Sequence, residues 1–230
     1  MRSRSALHMT EAGTRIGALL WALCTVMVFA VADAHAAVLS VAVLDDRNQP
    51  VPDAVVTVTP IGANPAQAPT GPAAVMDQVD LAFAPAVLVV RTGTPVIFPN
   101  SDTVAHQVYS FSPAKRFELG LYRRHPYQPV VFDHPGVVIL GCNIHDNMLG
   151  YVFVTDAQYF GKSDRQGIWR GDALPEAEYE VAVWSPRLPG KKQALRTRVN
   201  LLDAPLSVEL RLNEPLRAAI SQARDPRDRY

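Results

Sequence analysis

Short segments in which apolar and polar residues alternate are the feature that most constrains the fold of this chain. The clearest runs from Leu206 to Leu212, where Leu, Val, Leu and Leu alternate with Ser, Glu and Arg. Similar alternation occurs at Tyr179, Val181 and Val183. A period of two places successive side chains on opposite faces of a strand, one toward a core and one toward water. Because the chain also holds 19 prolines, which interrupt long helices, we predict an all-β fold.

The composition is that of a globular protein rather than of a disordered chain or a nucleic-acid binder. Hydrophobic residues make up 48% of the chain, and 22 Lys and Arg balance 22 Asp and Glu. A chain with this much apolar surface can bury a core. Nucleic-acid binders instead carry a basic excess that neutralises phosphates. We therefore expect no nucleic-acid partner.

The N-terminus has the pattern of a secretory signal peptide. Three arginines in the first fifteen positions precede an apolar run from Ile16 to Val31, and small residues follow at Ala34 and Ala36. This order predicts a signal peptide at residues 1–36 and a periplasmic location after cleavage. An uncleaved anchor is the alternative, but a run of roughly 16 residues is shorter than the about 20 that span a membrane. We expect no stable membrane span in the cleaved protein.

Several further segments have the length and residue types of strands. Val38–Leu44 and Ala54–Thr59 flank a polar turn, which predicts a β-hairpin. After Asn213 we predict a short helix from Leu216 to Ala223 and then a frayed end, together residues 214–230. A series of short strands is predicted in the middle of the chain, at 86–91, 95–98, 105–111, 130–132, 137–140 and 149–154.

Two phrases resemble parts of a known kind of β-sandwich. The phrase VAVLDDRNQPVPDAVVTV is similar to the beginning of carboxypeptidase-regulatory-like or transthyretin-like sandwiches, and the segment from Asp164 to Trp184 resembles their later part. The resemblance implies one discontinuous sandwich, residues 38–72 plus 156–213, into which a second sandwich at 73–155 is inserted. A single elongated sandwich and two consecutive sandwiches are the alternatives.

Four potential metal ligands occur in the middle of the sequence. Cys142, His145 and Met148 form a C-x2-H-x2-M motif within GCNIHDNMLG, and His106 lies on a predicted strand upstream. Cys142 is the only cysteine left after the predicted cleavage, so it has no intramolecular disulfide partner. Two imidazoles and a thiolate with a weak thioether are the ligand set of type 1 copper. The motif therefore predicts a copper site.

Zinc and a catalytic Cys–His pair are the alternatives for these residues. Zinc favours tetrahedral nitrogen and sulfur ligands, and the methionine argues against it. A catalytic pair is conceivable, but nothing in the sequence resembles a third orienting group or an oxyanion site. His125 and His134 fit turn or surface positions, while Asn100 and Asp102 fit turns in which their side chains bond the local backbone.

Two longer phrases around the motif resemble cupredoxins. They are MDQVDLAFAPAVLVVRTGTPVIFPNSD and GCNIHDNMLGYVFV, and they are also similar to exported cupredoxin-like proteins described as methylamine utilization proteins. The short ligand loop resembles the amicyanin type. The resemblance implies a Greek-key cupredoxin β-sandwich at 73–155 with one type 1 copper ion, held by His106, Cys142 and His145 with Met148 axial.

The same resemblance implies a function. The protein would be a one-electron carrier that cycles between Cu(I) and Cu(II), not an enzyme, with redox partner proteins as donor and acceptor. Two alternatives remain open. In one, the protein carries or stores copper without an electron partner; in the other, the flanking sandwich binds a partner and the copper site is secondary.

Overall fold

The molecule is built from β-strands. The computed structural model describes residues 37–67, 69–124, 127–189 and 195–218, so the predicted signal peptide lies outside the described residues. Within those ranges the chain forms strands, turns and bends but no α-helix, which confirms the predicted all-β fold. The strands are β1 (Ala37–Leu44), β2 (Val55–Pro60), β3 (Ala74–Val75), β4 (Asp77–Val79), β5 (Ala82–Ala84), β6 (Val87–Arg91), β7 (Thr94–Ile97), β8 (His106–Ser112), β9 (Lys115–Tyr122), β10 (Val130–Phe132), β11 (Gly136–Gly141), β12 (Leu149–Thr155), β13 (Tyr159–Lys162), β14 (Ile168–Leu174), β15 (Ala177–Trp184), β16 (Leu195–Leu201) and β17 (Leu206–Arg211).

The first sandwich consists of two sheets with the strand orders β14-β1-β17 and β13-β2-β15-β16. Its strands come from distant parts of the chain, because β1 pairs antiparallel with β14 and parallel with β17. Alternate residues of β1 are buried, as the period of two predicts, whereas β15 is buried on both faces from Val181 to Trp184. The inward-facing residues of this sandwich form one core, whose fully buried members include Leu39, Val41, Val43, Val56, Val58, Leu174, Tyr179, Val181, Val183 and Leu201.

The predicted hairpin between the first two strands is wrong, because β1 and β2 lie in different sheets. The turn between them does form: the Asp45 carboxylate accepts hydrogen bonds from the backbone N–H groups of Arg47 (2.9 Å) and Gln49 (2.8 Å). Both edges of β1 are already occupied by β14 and β17. β2 therefore pairs with β13 and β15 in the opposite sheet.

The second sandwich combines a five-stranded sheet, order β6-β12-β11-β8-β9, with a three-stranded sheet, order β10-β7-β3. β11 and β12 form an antiparallel hairpin, and β8 pairs with β11 on one side and β9 on the other. A hairpin of β4 and β5 contributes Phe83 to the same core. Further buried members of this core include Phe98, Val108, Phe132, Val138, Leu140 and Val152.

Aromatic side chains pack the two sandwiches against each other. Trp184 at the end of β15 is 9% exposed, and its ring centroid lies 5.7 Å from that of Tyr151 and 5.3 Å from that of Phe153. Tyr151 and Phe153 point away from the second core, because Val152 and Val154, which alternate with them on β12, are buried inside it. The described residues belong to one compact unit, so the predicted boundaries at 72/73 and 155/156 stay predictions.

The C-terminal part of the described chain is not helical. Residues 214–218 form no helix, and the rest of the predicted helix and the frayed end lie outside the described residues. Leu216 packs against the first core, and the backbone N–H of Arg217 donates to the carbonyl of Arg187 at 2.8 Å. In the four ranges that the structure describes, no helix has the length and apolar character that crossing a membrane requires.

Gly167, in the turn before β14, occupies a position that excludes a side chain. Its φ is +74°, and a Cβ would lie 2.7 Å from the carbonyl oxygen of Val43 and 3.0 Å from the backbone nitrogen of Val51. Gly62 has a similar φ of +77° but open space around it. We expect Gly62→Ala to cost about 1 kcal/mol, from the left-handed backbone alone. Gly167→Ala should cost about 3 kcal/mol or more, because the backbone of β1 must also move.

Urea unfolding of the two variants measures this difference in the free energy of unfolding. Equal costs for Gly62→Ala and Gly167→Ala would show that the turn before β14 does not pack against β1 as described.

Candidate metal centre

Strand pairing brings three of the four predicted ligands together at one end of the second sandwich. His106 is the first residue of β8, and Cys142 directly follows β11. β8 and β11 pair at Tyr109 and Gly141, which places His106 near Cys142 although 36 positions separate them in sequence. The loop from 142 to 148 then connects β11 to β12 and carries His145.

The donor atoms of these three residues converge. The Nδ1 atoms of His106 and His145 lie 3.1 Å apart, and the Sγ of Cys142 lies 4.0 Å from Nδ1 of His106 and 3.8 Å from Nδ1 of His145. His106 is fully buried and Cys142 is 3% exposed, whereas His145 is half-buried. Among the described residues, no other group of three or more His, Cys, Asp or Glu side chains converges in this way.

The spacing of these atoms suits a single metal ion. Zinc, for example, binds imidazole nitrogen at about 2.0–2.1 Å and thiolate sulfur at about 2.3 Å. Two donors on one ion therefore lie at most about 4.2 Å apart for two nitrogens and about 4.4 Å for nitrogen and sulfur. All three observed separations are below these limits. An ion between the three atoms would bind all of them at ordinary distances, and copper and zinc both accept such donors.

Met148 lies at the end of the ligand loop. It is 2% exposed and belongs to the same buried cluster as Cys142. Its backbone N–H donates to the carbonyl of His145 at 3.0 Å, which closes the loop into a turn before β12. These contacts fix the backbone of Met148 next to the converging donors. Its role as an axial ligand stays a prediction.

Asp102 contacts His106, which was not predicted from the sequence. Its Oδ2 accepts a hydrogen bond from Nε2 of His106 at 2.8 Å. The prediction that Asp102 bonds local backbone is wrong: besides the imidazole, its oxygens accept bonds from the backbone N–H groups of Asp80 (2.7 Å) and Leu81 (2.9 Å), more than twenty positions away. The spacing of Asp102 four residues before His106 is the signal that could have suggested the contact.

Burial and the neighbouring Asp102 shift the pKa of His106 in opposite directions. Desolvation lowers the pKa of the imidazole, and the nearby His145 lowers it further, whereas the hydrogen bond from Nε2 to Asp102 raises it. The net shift is downward because desolvation is the largest effect. A neutral imidazole has a free lone pair, which is the form that binds a metal.

A second set of polar contacts supports the backbone around His106. The Asn100 amide donates to the carbonyl of Val104 at 2.9 Å, which confirms that Asn100 bonds local backbone. It also donates to the carbonyl of Tyr122 at 3.1 Å, which was not predicted. Tyr122 is the cross-strand partner of His106, and its hydroxyl donates to the carbonyl of Phe98 at 2.6 Å. Desolvation raises the pKa of Tyr122 to about 12. The hydroxyl therefore stays protonated and keeps this bond near neutral pH.

The remaining histidine predictions concern residues away from the cluster. The His134 side chain is 71% exposed and its Nδ1 lies 3.2 Å from the Asp133 carboxylate, which confirms a surface position. His125 lies outside the described residues.

An open cavity of about 520 Å³ borders Cys142 and Met148. It lies along the outer face of β8 and β11 and reaches Cys142 and Met148 from the solvent side. Ile144, beside His145, is half exposed. The site thus has a buried side at His106 and a side near the surface at His145. The other residues that line the cavity include Tyr109, Phe111, Ile139, Gly141, Asn143 and Leu149.

The fold and the cluster define this chain as an all-β protein with two imidazoles and one thiol at the end of a sandwich. No protein-family model and no curated protein matches it. Among solved structures, a reduced Cu(I) form of an amicyanin mutant at pH 4 is 21% identical over 43% of this chain and 98% of that chain, with a TM-score of 0.33.

Two further solved structures are similar to part of the chain. The Cu-containing nitrite reductase NirK from Thermus scotoductus SA-01 is 22% identical over 49% of this chain and 28% of that chain, with a TM-score of 0.35. A purple cupredoxin from Nitrosopumilus maritimus is 23% identical over 36% of this chain and 99% of that chain, with a TM-score of 0.31. Each of these matches covers less than half of the present chain.

Proposed function

We propose that this protein is an exported one-electron carrier with a single type 1 copper ion. The observation that carries the proposal is the convergence of two imidazole Nδ1 atoms and one thiol sulfur, each within 4.0 Å of the others. Two histidines and a cysteine with a nearby methionine are the donor set of blue-copper electron-transfer sites. Met148 is the axial ligand in this proposal, and its burial at the end of the ligand loop supports that role.

The protein's own residues would keep the site rigid. When bound, copper supplies the one-electron couple, because thiolate sulfur suits Cu(I) and imidazole suits copper in general. Cys142 and His106 are buried and so exclude water from the donors. The hydrogen bond to Asp102 holds one ring edge of His106, and the turn from His145 to Met148 holds the loop. A site that moves little between oxidation states needs little reorganisation for electron transfer.

Donor and acceptor proteins would meet the site at His145. This residue is the least buried of the three converging ligands, and the exposed Ile144 beside it offers an apolar contact. His106, in contrast, is fully buried. The proposed protein acts in the periplasm after removal of residues 1–36 and catalyses no reaction of its own.

Visible spectroscopy and voltammetry of the copper-loaded protein test the proposal. We expect intense absorption in the orange-red part of the visible spectrum and a reversible one-electron wave, because the donors stay in place in both oxidation states. A colourless Cu(II) complex would contradict type 1 copper. Irreversible oxidation with release of copper would contradict electron transfer and favour copper carriage or storage.

A catalytic thiol is the second candidate, because Asp102 supplies the orienting group that the sequence did not reveal. Cys142, His106 and Asp102 lie in the order of a nucleophile, a base and its orienting carboxylate. The Sγ–Nδ1 distance of 4.0 Å exceeds the roughly 2.6–3.2 Å typical of a nucleophile and its base. The thiol is also 3% exposed, and a second imidazole approaches it equally closely. The geometry therefore favours a metal site.

A further inference from the structure

We propose that Asp102 is a positioning residue that sets the tautomer of His106 and favours Cu(II) at the site. The proposal rests on the proposed copper function, and it assigns to Asp102 a role beyond stabilising a turn. It predicts that loss of this one carboxylate changes the properties of the metal centre while the fold and the ligands stay in place.

The geometry shows that Asp102 joins the imidazole to a separate element of the fold. Oδ2 contacts Nε2 of His106 at 2.8 Å and the N–H of Leu81 at 2.9 Å, while Oδ1 contacts the N–H of Asp80 at 2.7 Å. Asp80 and Leu81 form the turn between β4 and β5, and both have positive φ, 55° and 60°. Positive φ at both central residues is the geometry of a type I′ hairpin turn. The carboxylate thus holds the turn and the metal ligand at once.

The contact dictates which ring nitrogen of His106 carries the proton. A carboxylate only accepts hydrogen bonds, so the hydrogen of the neutral ring must be on Nε2. Nδ1 then keeps its lone pair, and this atom is the one that faces Cys142 and His145. Because His106 is fully buried, water does not replace the carboxylate on Nε2. Asp102 therefore prepares Nδ1 as a donor before any metal binds.

The charge of Asp102 also acts on the oxidation state. A carboxylate behind a metal-binding imidazole makes the ring a stronger donor. A stronger donor and a nearby negative charge both favour the more positive Cu(II) over Cu(I). Removal of the carboxylate should therefore weaken Cu(II) binding more than Cu(I) binding and raise the reduction potential.

The variant Asp102→Asn tests this role, and Asp77→Asn is its matched control. Asparagine keeps the size of Asp102 but offers only one acceptor oxygen, so it cannot serve both the turn and the imidazole. Asp77 is the first residue of β4, and its carboxylate accepts hydrogen bonds from the backbone N–H (3.2 Å) and the hydroxyl (2.7 Å) of Ser101, the neighbour of Asp102. Its two oxygens are not among the contacts of His106. Both variants weaken hydrogen bonds between the segment of β4 and β5 and the turn at residues 100–103. Only Asp102→Asn also changes the hydrogen-bond partner of His106.

The first measurement needs no metal. Nitrogen NMR of the copper-free protein reports which ring nitrogen of His106 is protonated. We expect the Nε2–H tautomer in the unmodified protein and in Asp77→Asn, and a shift toward the Nδ1–H tautomer in Asp102→Asn. Unchanged tautomers in Asp102→Asn would overturn the proposal.

The second measurement uses the copper-loaded proteins. We expect Asp102→Asn to bind Cu(II) about 10–100-fold more weakly, with little change for Cu(I). This is the loss of metal affinity that typically follows mutation of a residue hydrogen-bonded to a metal ligand. A tenfold preferential loss corresponds to a potential about 59 mV higher. Equal potentials and affinities in Asp102→Asn and Asp77→Asn would overturn the proposal. Failure of the unmodified protein to form a coloured Cu(II) complex would instead contradict the copper function itself.

Discussion

Copper-loaded Cys142→Ala protein is expected to lose the intense visible absorption completely. The absorption of a type 1 site arises from the thiolate bound to Cu(II), and Cys142 is the only cysteine among the described residues. Two imidazoles would still bind copper, but without the soft sulfur donor that suits Cu(I). Mutation of a residue that only hydrogen-bonds to a metal ligand typically lowers metal affinity by roughly 10–100-fold. Because Cys142 is itself a proposed ligand, we expect its loss to lower the Cu(I) affinity by more than that.

The loss of colour must be separated from a loss of structure. Cys142 is a small buried residue, so truncation to alanine should cost about 1 kcal/mol of folding free energy, and the variant should remain folded. His134→Ala is the control, because its side chain is 71% exposed and it lies away from the cluster. Absorption that survives Cys142→Ala, or disappears in His134→Ala, would contradict the assignment of the thiolate.

Trp184→Ala is expected to have the largest effect on stability. The indole lies between the two sandwiches, in contact with the rings of Tyr151 and Phe153, and is 9% exposed. Replacement of a buried tryptophan by alanine costs about 3–5 kcal/mol, from lost apolar burial and from the cavity that remains. Since stability of a natural protein is about 5–15 kcal/mol, much of it would be lost.

Urea unfolding of Trp184→Ala and of the control Trp184→Phe measures this contribution. Phenylalanine keeps an aromatic ring between the sheets, so we expect a clearly smaller loss. We also expect the two cores to unfold at different urea concentrations in Trp184→Ala, because the contacts of the indole join them. A cost below about 1 kcal/mol, which is typical of surface positions, would show that the sandwiches do not depend on it.

The sequence predicted the strands better than their partners. Alternation identifies which residues of β1 face a core, because it follows from the backbone of a single strand. Pairing depends on which edges remain free after the rest of the chain has folded. The parallel pair of β1 and β17, and that of β6 and β12, therefore had no local signal, and a polar turn after β1 indicated a hairpin that does not form.

The convergence of His106, Cys142 and His145 was predictable to a similar extent. Three potential ligands share a short motif, so their proximity follows from loop length alone, and the strand position of His106 made its approach feasible. Asp102 differs because an aspartate in a polar turn has many possible partners. Its contact with a buried imidazole depends on the hairpin of β4 and β5, whose turn presents N–H groups to the same carboxylate. Only the three-dimensional arrangement selects that partner.

The central position of β1 has a consequence for how the molecule folds. Leu39 in β1 is opposite Leu206 in β17, so the first of the described strands pairs with the last of them. Until β17 joins it, the edge of β1 is unpaired and open to association with other chains. We expect the second sandwich, whose strands are contiguous, to form first, and closure around β1 to limit the folding rate.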